Sequence, residues 1–262
     1  MIIGNKNFKC GTHVMAIINL TPDSFFPAGR HNESDVLSAV ERAVNEGAEV
    51  IDIGAQSTRP GYSEVSAEEE IGRFLKPLVE IKKRFPVPVS VDTYFSLSAR
   101  AALENGADMI NDVWGLTHDE DMARTVAKFG ASVCIMHNAS QSLVGDIWQP
   151  IDSFLKNSLN LAISASIDKD RICIDGGIGF AKSREQNFEL LNGYERLHSL
   201  GYPLLLGVSR KSMFGGRVDD RLAPTVEATR LAVRKGVMFV RVHDVAANVK
   251  AIREMNSGES NG

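Results

Sequence analysis

The strongest constraint in this sequence is a repeating order: eight short, continuously apolar segments, each followed by a polar loop and most of them by a stretch with helical spacing. The segments are Val14 to Asn19, Glu49 to Gly54, Val87 to Asp92, Asp108 to Asp112, Ala131 to Met136, Arg171 to Asp175, Pro203 to Ser209 and Met238 to His243. Their apolar residues are consecutive rather than alternating, as in strands covered on both faces, and that burial arises where helices pack outside a parallel sheet. The intervening stretches include SDVLSAVERAVNEG, SAEEEIGRFLKPLVEIKKRF, SLSARAALENG and TVEATRLAVRKG. Several open on Ser, Thr or Asp and end in Gly, residues that start and stop helices.

Strand then helix, eight times over, predicts an α/β fold with a parallel sheet. The chain has 262 residues, close to the length of about 250 common for eightfold barrels. A single (β/α)8 TIM barrel over 1–262 is therefore expected, with a short N-terminal extension (1–13) and a flexible C-terminal tail (about 256–262). An open, doubly wound sheet is the alternative, because the order of segments does not fix whether strand eight meets strand one.

Composition excludes several function classes. Twenty-nine Lys and Arg against 33 Asp and Glu give a net charge of -4, so no general field attracts nucleic acid and any anion must be held by a local pocket. No stretch reaches the ~18 apolar residues of a membrane span, and the N-terminus carries no apolar signal core. Cys10, Cys134 and Cys173 lack metal-like spacing, and two of them sit inside apolar runs, so they read as reduced packing residues of a cytoplasmic protein.

In an eightfold barrel the functional groups stand just after the strands, where eight loops converge. Asn19, Asp92, Asn111, Asp112, His137, Asp175, Ser209, Arg210, Lys211, Arg241 and His243 all fall there. Each has a plainer reading taken alone. Asp92, Asn111 and Asp175 could cap the helices that follow them, or their buried polar groups could await a hydrogen-bonding ligand such as a flat heterocycle rich in N–H donors. Arg210, Lys211, Arg241 and His243 could gather as an anion site after strands seven and eight, or Arg210 could be spent in an ion pair with Asp219, Asp220 or Asp244. The loop after strand one carries Phe25 and Phe26, readable as a pocket wall or as rim packing, and the loop after strand two carries Arg59, whose planar fork suits a carboxylate or phosphate.

Seven ordered motifs, MAIINLTPDSFF, EVIDIGAQSTRPG, VSVDTY, GADMINDVWG, IDGGIGFAKSREQNFELL, LLLGVSRKSMFG and VRVHDV, resemble those of the dihydropteroate synthase family across about residues 15 to 245. That resemblance implies a transferase that joins p-aminobenzoate to a pterin pyrophosphate with loss of pyrophosphate, and a homodimer. It implies a pterin site of Asp92, Asn111, Asp175 and Lys211. It implies a pyrophosphate site of Asn19, Arg241 and His243, with Asn19 beside a Mg2+ ion, and an aminobenzoate site of Phe25, Thr58, Arg59, Pro60 and Ser212. Asn19, Lys211, Arg241 and His243 are the residues expected to carry catalysis. Sulfonamides, as mimics of the arylamine, are expected to compete at the aminobenzoate site.

The sequence departs from the family pattern at three places. Pro27 stands where the family's first loop commonly has Asp, Gly176 replaces the proline of Asp-Pro-Gly, and Asn138 follows the Met-His of strand five without an assignable role. Gly176 is expected to loosen the backbone that carries Asp175. Two other readings share the barrel: a pterin-binding methyltransferase, against which SRKS and STRPG weigh, and a non-catalytic paralogue, motivated by Pro27 and Gly176.

Overall fold

A computed structural model describes residues 1–20, 33–56 and 65–258, and in them eight parallel strands form one sheet that closes on itself. The barrel strands are β3 (His13–Asn19), β4 (Val50–Gly54), β5 (Val89–Asp92), β6 (Met109–Asp112), β7 (Ser132–Met136), β8 (Ile172–Asp175), β9 (Leu205–Leu206) and β10 (Phe239–Val242). Strand β10 pairs with β3 in parallel, Arg241 opposite Met15, so the last strand does meet the first. A parallel bridge between Ile174 and Leu204 joins β8 to the segment entering β9 and completes the ring. The doubly wound alternative falls away.

All eight apolar segments are strands, most trimmed by a residue at one or both ends. The seventh is the exception, with a ladder of only Leu205–Leu206. Pro203 has no N–H to donate at its start, and Gly207 follows at its end. Helices α1 (Glu33–Asn45), α2 (Ala67–Arg84), α3 (Ser96–Glu104), α4 (Met122–Lys128), α5 (Trp148–Ser164), α6 (Arg184–Asn192), α7 (Leu222–Arg234) and α8 (Val245–Ser257) surround the sheet. They bury residues such as Phe74, Leu78, Leu155 and Ala228 against the outer faces of the strands, which explains why the strands are apolar on both sides.

Two helix starts show how local chemistry and tertiary context divide the work. Ser66 caps α2 as its sequence suggests, its hydroxyl accepting the Glu69 N–H at 3.2 Å. Ser96 does not cap α3. It is the first helical residue, and its own N–H donates to the Asp119 carboxylate from the next loop at 2.7 Å. Helix α8 reaches Ser257, with Gly258 in the left-handed conformation after it.

The N-terminal extension is a hairpin of β1 (Ile2–Ile3) and β2 (Lys6–Asn7) that stops the lower end of the barrel. Ile3 and Phe8 are buried with Met15, Val50, Met109, Cys134, Cys173, Leu205 and Phe239, the inward side chains near the strand starts. Cys134 and Cys173 are register partners, free and buried in this floor, while Cys10 is exposed. No described helix is long and apolar enough to cross a membrane. Phe8→Ala should leave a cavity in the floor and lower the free energy of urea unfolding by roughly 3–5 kcal/mol; an unchanged urea midpoint would show that the hairpin does not help to close the barrel.

Candidate active site at the barrel mouth

Parallel register places Asn19, Gly54, Asp92 and Asn111 side by side as consecutive Cα partners across β3 to β6, all at the C-terminal ends of their strands. Gly54 leaves the row open between its neighbours: a Cβ there would lie 3.5 Å from Asn19 Oδ1 and 3.9 Å from the Asp92 Cβ. None of Asp92, Asn111 and Asp175 caps the helix after it, so their polar groups are left to the mouth.

Arg241 reaches across the barrel from β10. Its Nε donates to Asp52 Oδ2 at 2.6 Å and its Nη2 to Asp92 Oδ2 at 2.7 Å. Burial disfavours the guanidinium charge, but Asp52 and Asp92 outweigh that cost and hold Arg241 above its ordinary value. Burial likewise raises the Asp92 carboxyl, with Arg241 pulling it back. One edge of the guanidinium is thus saturated, while Nη1 has no protein acceptor among the described residues. Asp52 Oδ1, fully buried, also has no hydrogen-bond partner there.

Asp175 closes the other side. Its Oδ1 accepts the Gly177 N–H at 2.7 Å and the Tyr194 O–H at 2.9 Å, and burial raises its carboxyl while Lys211 opposes the rise. Lys211 follows β9, donates to the Ile178 carbonyl and stands 4.7 Å from the centre of the Phe180 ring. Burial pulls its ammonium down to about 8, with Asp175 acting against that. A second lysine, Lys182, donates to His137 Nδ1 at 2.8 Å and to the carbonyls of Gly177 and Phe180 at 3.0 Å each, and burial lowers it to about 7. Burial, aided by the Lys182 charge, takes His137 down to about 3 and so keeps its ring neutral, able to accept that proton.

His243 lies just past β10, its Nδ1 2.9 Å from the Ser209 hydroxyl and its Nε2 3.4 Å from Asn19 Nδ2. The structure therefore brings Asp92, Asn111, Asp175, Lys211, Arg241, Asn19 and His243 to one rim. Ser212 is exposed at the start of a short 3-10 turn, Ser212–Phe214, and makes no hydrogen bond to the cluster among the described residues. Phe25, Thr58, Arg59 and Pro60, together with Phe26 and Pro27, lie outside the described residues.

Arg210 does not join the cation cluster. Its Nε and Nη2 clamp the Asp244 carboxylate at 2.8 and 2.7 Å, so the ion-pair alternative is the correct one. Asp112 is a turn organiser that accepts the N–H groups of Trp114 and Leu116 at 2.8 and 2.7 Å. Asn138 accepts the Ala139 N–H at 2.8 Å and lines a cleft of about 360 Å³ with Trp114, Gly179 and Phe180, beside Lys211. Gly176 is also not loose: its N–H donates to the Tyr194 hydroxyl at 2.9 Å.

Asp52, Lys182 and Tyr194 were not singled out from the sequence. Asp52 did carry a signal, being a charged residue in the middle of the apolar run EVIDIG, where burial demands a partner. Tyr194 had none, because its partners come from other segments.

Carboxylates and an amide facing buried cations across the mouth of a parallel barrel are the arrangement of a pterin-binding enzyme, and the model of that family, "Pterin binding enzyme", matches residues 15–243. The chain is 44% identical over 261 residues to the dihydropteroate synthase of Clostridium beijerinckii, covering 97% of each chain. It is 38% identical to that of Bacillus subtilis, covering 96% of this chain and 90% of the relative. Two solved structures superpose closely. The Clostridium difficile dihydropteroate synthase, crystallised in the presence of pteroic acid, gives a TM-score of 0.93 at 40% identity over 98% of this chain and 100% of its own. The Xanthomonas albilineans enzyme with 4-aminobenzoic acid gives 0.91 at 37% identity, covering 96% of this chain and 94% of its own. The chain belongs to the dihydropteroate synthase family, transferases of folate biosynthesis.

The turn after β8 has no room for a side chain at Gly177, whose φ is 70° and whose Cβ would stand 1.8 Å from the His137 carbonyl oxygen. Gly177→Ala should lose about 1–2 kcal/mol from backbone conformation alone and more from the clash. Thermal unfolding checks this, and a wild-type midpoint would mean that the contact between the ends of β7 and β8 yields freely.

Proposed function

We propose that this chain condenses 6-hydroxymethyl-7,8-dihydropterin pyrophosphate with p-aminobenzoate, giving 7,8-dihydropteroate and pyrophosphate. One observation carries the reading: hydrogen-bond acceptors for a flat heterocycle and cations for its departing diphosphate occupy a single rim. Asp175 presents Oδ2, which takes no protein hydrogen bond among the described residues, to the amino and ring N–H groups of the pterin. Asp92 and Asn111 face it from neighbouring strands. The apolar group of Tyr94, Val113 and Met136, with Phe180 against it, supplies a surface for the ring.

Arg241, His243 and Lys211 serve the leaving group. The bond between the pterin methylene carbon and the diphosphate oxygen breaks with its electron pair on the diphosphate, where positive groups stabilise the growing charge. The aminobenzoate nitrogen forms the new bond to that carbon and releases a proton to solvent. Chemistry of this kind needs position and charge rather than a covalent nucleophile. Phe25, Thr58, Arg59, Pro60 and Ser212 are the proposed aminobenzoate site, and the protein is proposed to act as a homodimer.

Among the described residues no group of three or more His, Cys, Asp or Glu side chains could hold a metal ion. Asn19 nevertheless fits a Mg2+ that is carried chiefly by the substrate: its amide nitrogen faces His243, which leaves its oxygen as a hard ligand, and Mg2+ typically keeps waters and phosphate oxygens beside one or two protein groups. When bound there, the ion would supply further neutralisation of diphosphate charge.

Pyrophosphate should form only when both substrates are present, and more slowly without magnesium. Release without p-aminobenzoate, or methyl transfer from a reduced folate in its place, would overturn the assignment. Lys211→Ala and Asp175→Ala should each lower kcat/KM by about 100-fold or more while the fold is kept. Since Lys211 must be charged to act and burial has brought it to about 8, kcat/KM should fall as pH rises through about 8; a flat profile to higher pH would remove Lys211 from the mechanism.

A further inference from the structure

Gly176 gives up a side chain and keeps an N–H, and both facts are used by Tyr194. A Cβ at residue 176 would come within 3.1 Å of the Tyr194 ring and 3.2 Å of Leu190, so the ring fills the volume that a side chain there would take. The N–H, which proline lacks, donates to the Tyr194 hydroxyl at 2.9 Å. That hydroxyl in turn stands 2.9 Å from Asp175 Oδ1 and 2.5 Å from the Leu205 carbonyl oxygen, inside a fully buried side chain. A phenol has a single proton to give, so the Tyr194 O–H is shared between Asp175 Oδ1 and the Leu205 carbonyl oxygen, and a donor already receiving a hydrogen bond is the stronger for it. With Gly177 N–H on the same oxygen, the hydrogen bonds that other described residues make to the Asp175 carboxylate fall on Oδ1. Oδ2 is left on the side of Gly207, where a Cβ would be 3.5 Å from it.

We infer that Tyr194 is a positioning residue for pterin recognition, coupled to the Gly176 N–H, and that the pair holds Asp175 so that Oδ2 faces the substrate. This deepens the function proposed above and rests on Asp175 being the pterin carboxylate. Tyr194 does not reach the substrate; it acts through Asp175. The charged groups that bear on Asp175 are Lys211 after β9, Lys182 after β8 and Arg241 on β10, while the Cys134 thiol on β7 and the Tyr194 phenol are buried and neutral beside it. Burial raises the carboxyl, and the Tyr194 hydrogen bond is among the contacts that lower it. Removing that bond raises it further, and the acid limb of activity moves to higher pH.

The test compares Tyr194→Phe, Gly176→Pro, the double variant Y194L/G176P and Asp175→Ala, using pterin pyrophosphate both as substrate and as titrant in calorimetry. Tyr194→Phe should raise the KM and Kd for pterin pyrophosphate roughly tenfold, the scale of one hydrogen bond to a charged group, leave the p-aminobenzoate KM unchanged and shift the acid limb of kcat/KM upward. Gly176→Pro alone should be worse, because its Cβ would crowd the Tyr194 ring and Leu190 and its N–H is lost. Y194L/G176P relieves the crowding from the Tyr194 ring, and should bind pterin pyrophosphate about tenfold or more tighter than Gly176→Pro. Wild-type pterin KM and acid limb in Tyr194→Phe overturn the inference; should that variant fail to fold, a double variant no better than Gly176→Pro overturns it equally. Loss of pterin binding in Asp175→Ala with a silent Tyr194→Phe would sink this inference alone, whereas retained binding in Asp175→Ala would sink the pterin-site reading beneath it.

Discussion

The guanidinium of Arg241, buried between Asp52 and Asp92, ties β10 to the neighbouring strands β4 and β5, far earlier in the chain and within its reach because β10 closes the barrel against β3. Moving these charges out of water costs several kcal/mol per ion, and mutual attraction returns that cost only when the geometry is good and the partners are complete. Two carboxylates on one cation leave the trio with surplus negative charge, and Asp175 adds to it across the mouth. Lys211 and Lys182, both held below their usual range by burial, balance that surplus. The mouth is therefore a set of charges matched to one another in which Arg241 Nη1 and Asp175 Oδ2 make no hydrogen bond to other described residues, and a ligand with N–H donors at one end and an anion at the other would complete both halves at once. This is why acceptors and cations share the rim.

Stability and function are assigned to opposite ends of the same strands. At the lower end the strands present Met15, Val50, Met109, Cys134, Cys173, Leu205 and Phe239 to the N-terminal hairpin, a dry apolar floor. At the upper end, two to four residues later on these strands, stand Asn19, Asp52, Asn111, Asp175 and Arg241, with Asp92 at the end of β5 among them. The floor lets the mouth be polar: with the core closed from below, buried charge above can be spent on a ligand rather than on cohesion.

The architecture was legible because periodicity is a property of segments. Eight apolar runs with helices between them predict the barrel, and even the shortened seventh strand retains its place in the ring. Positions at strand ends were legible for the same reason, and Asp92, Asn111, Asp175, Lys211, Arg241 and His243 do meet. What the sequence could not supply was partnership. Arg210 sits in the motif SRKS beside Lys211, yet it is taken up by the Asp244 carboxylate. Ser96 stands where a cap should be, and Asp119 does its work from the following loop. Lys182 looks like a loop lysine until the His137 ring and two carbonyls enclose it. Each of these depends on which segments the fold brings together, and no local pattern encodes it.

Gly176 shows how far that dependence reaches. Judged locally, replacing a rigid proline with glycine adds conformational freedom to the chain that carries Asp175, and the entropy so gained belongs to the unfolded state. In the folded protein the substitution also creates a donor and a space, and Tyr194, eighteen residues on, uses both. The rigidity that a ring at 176 would have provided by covalent constraint is recovered as a hydrogen-bonded chain from Gly176 through the phenol to the carboxylate. A departure from a family pattern at one position is thus not evidence of lost function until the residues packed against it have been read with it. Here the second residue turns an apparent weakening of the site into a different way of holding the same carboxylate.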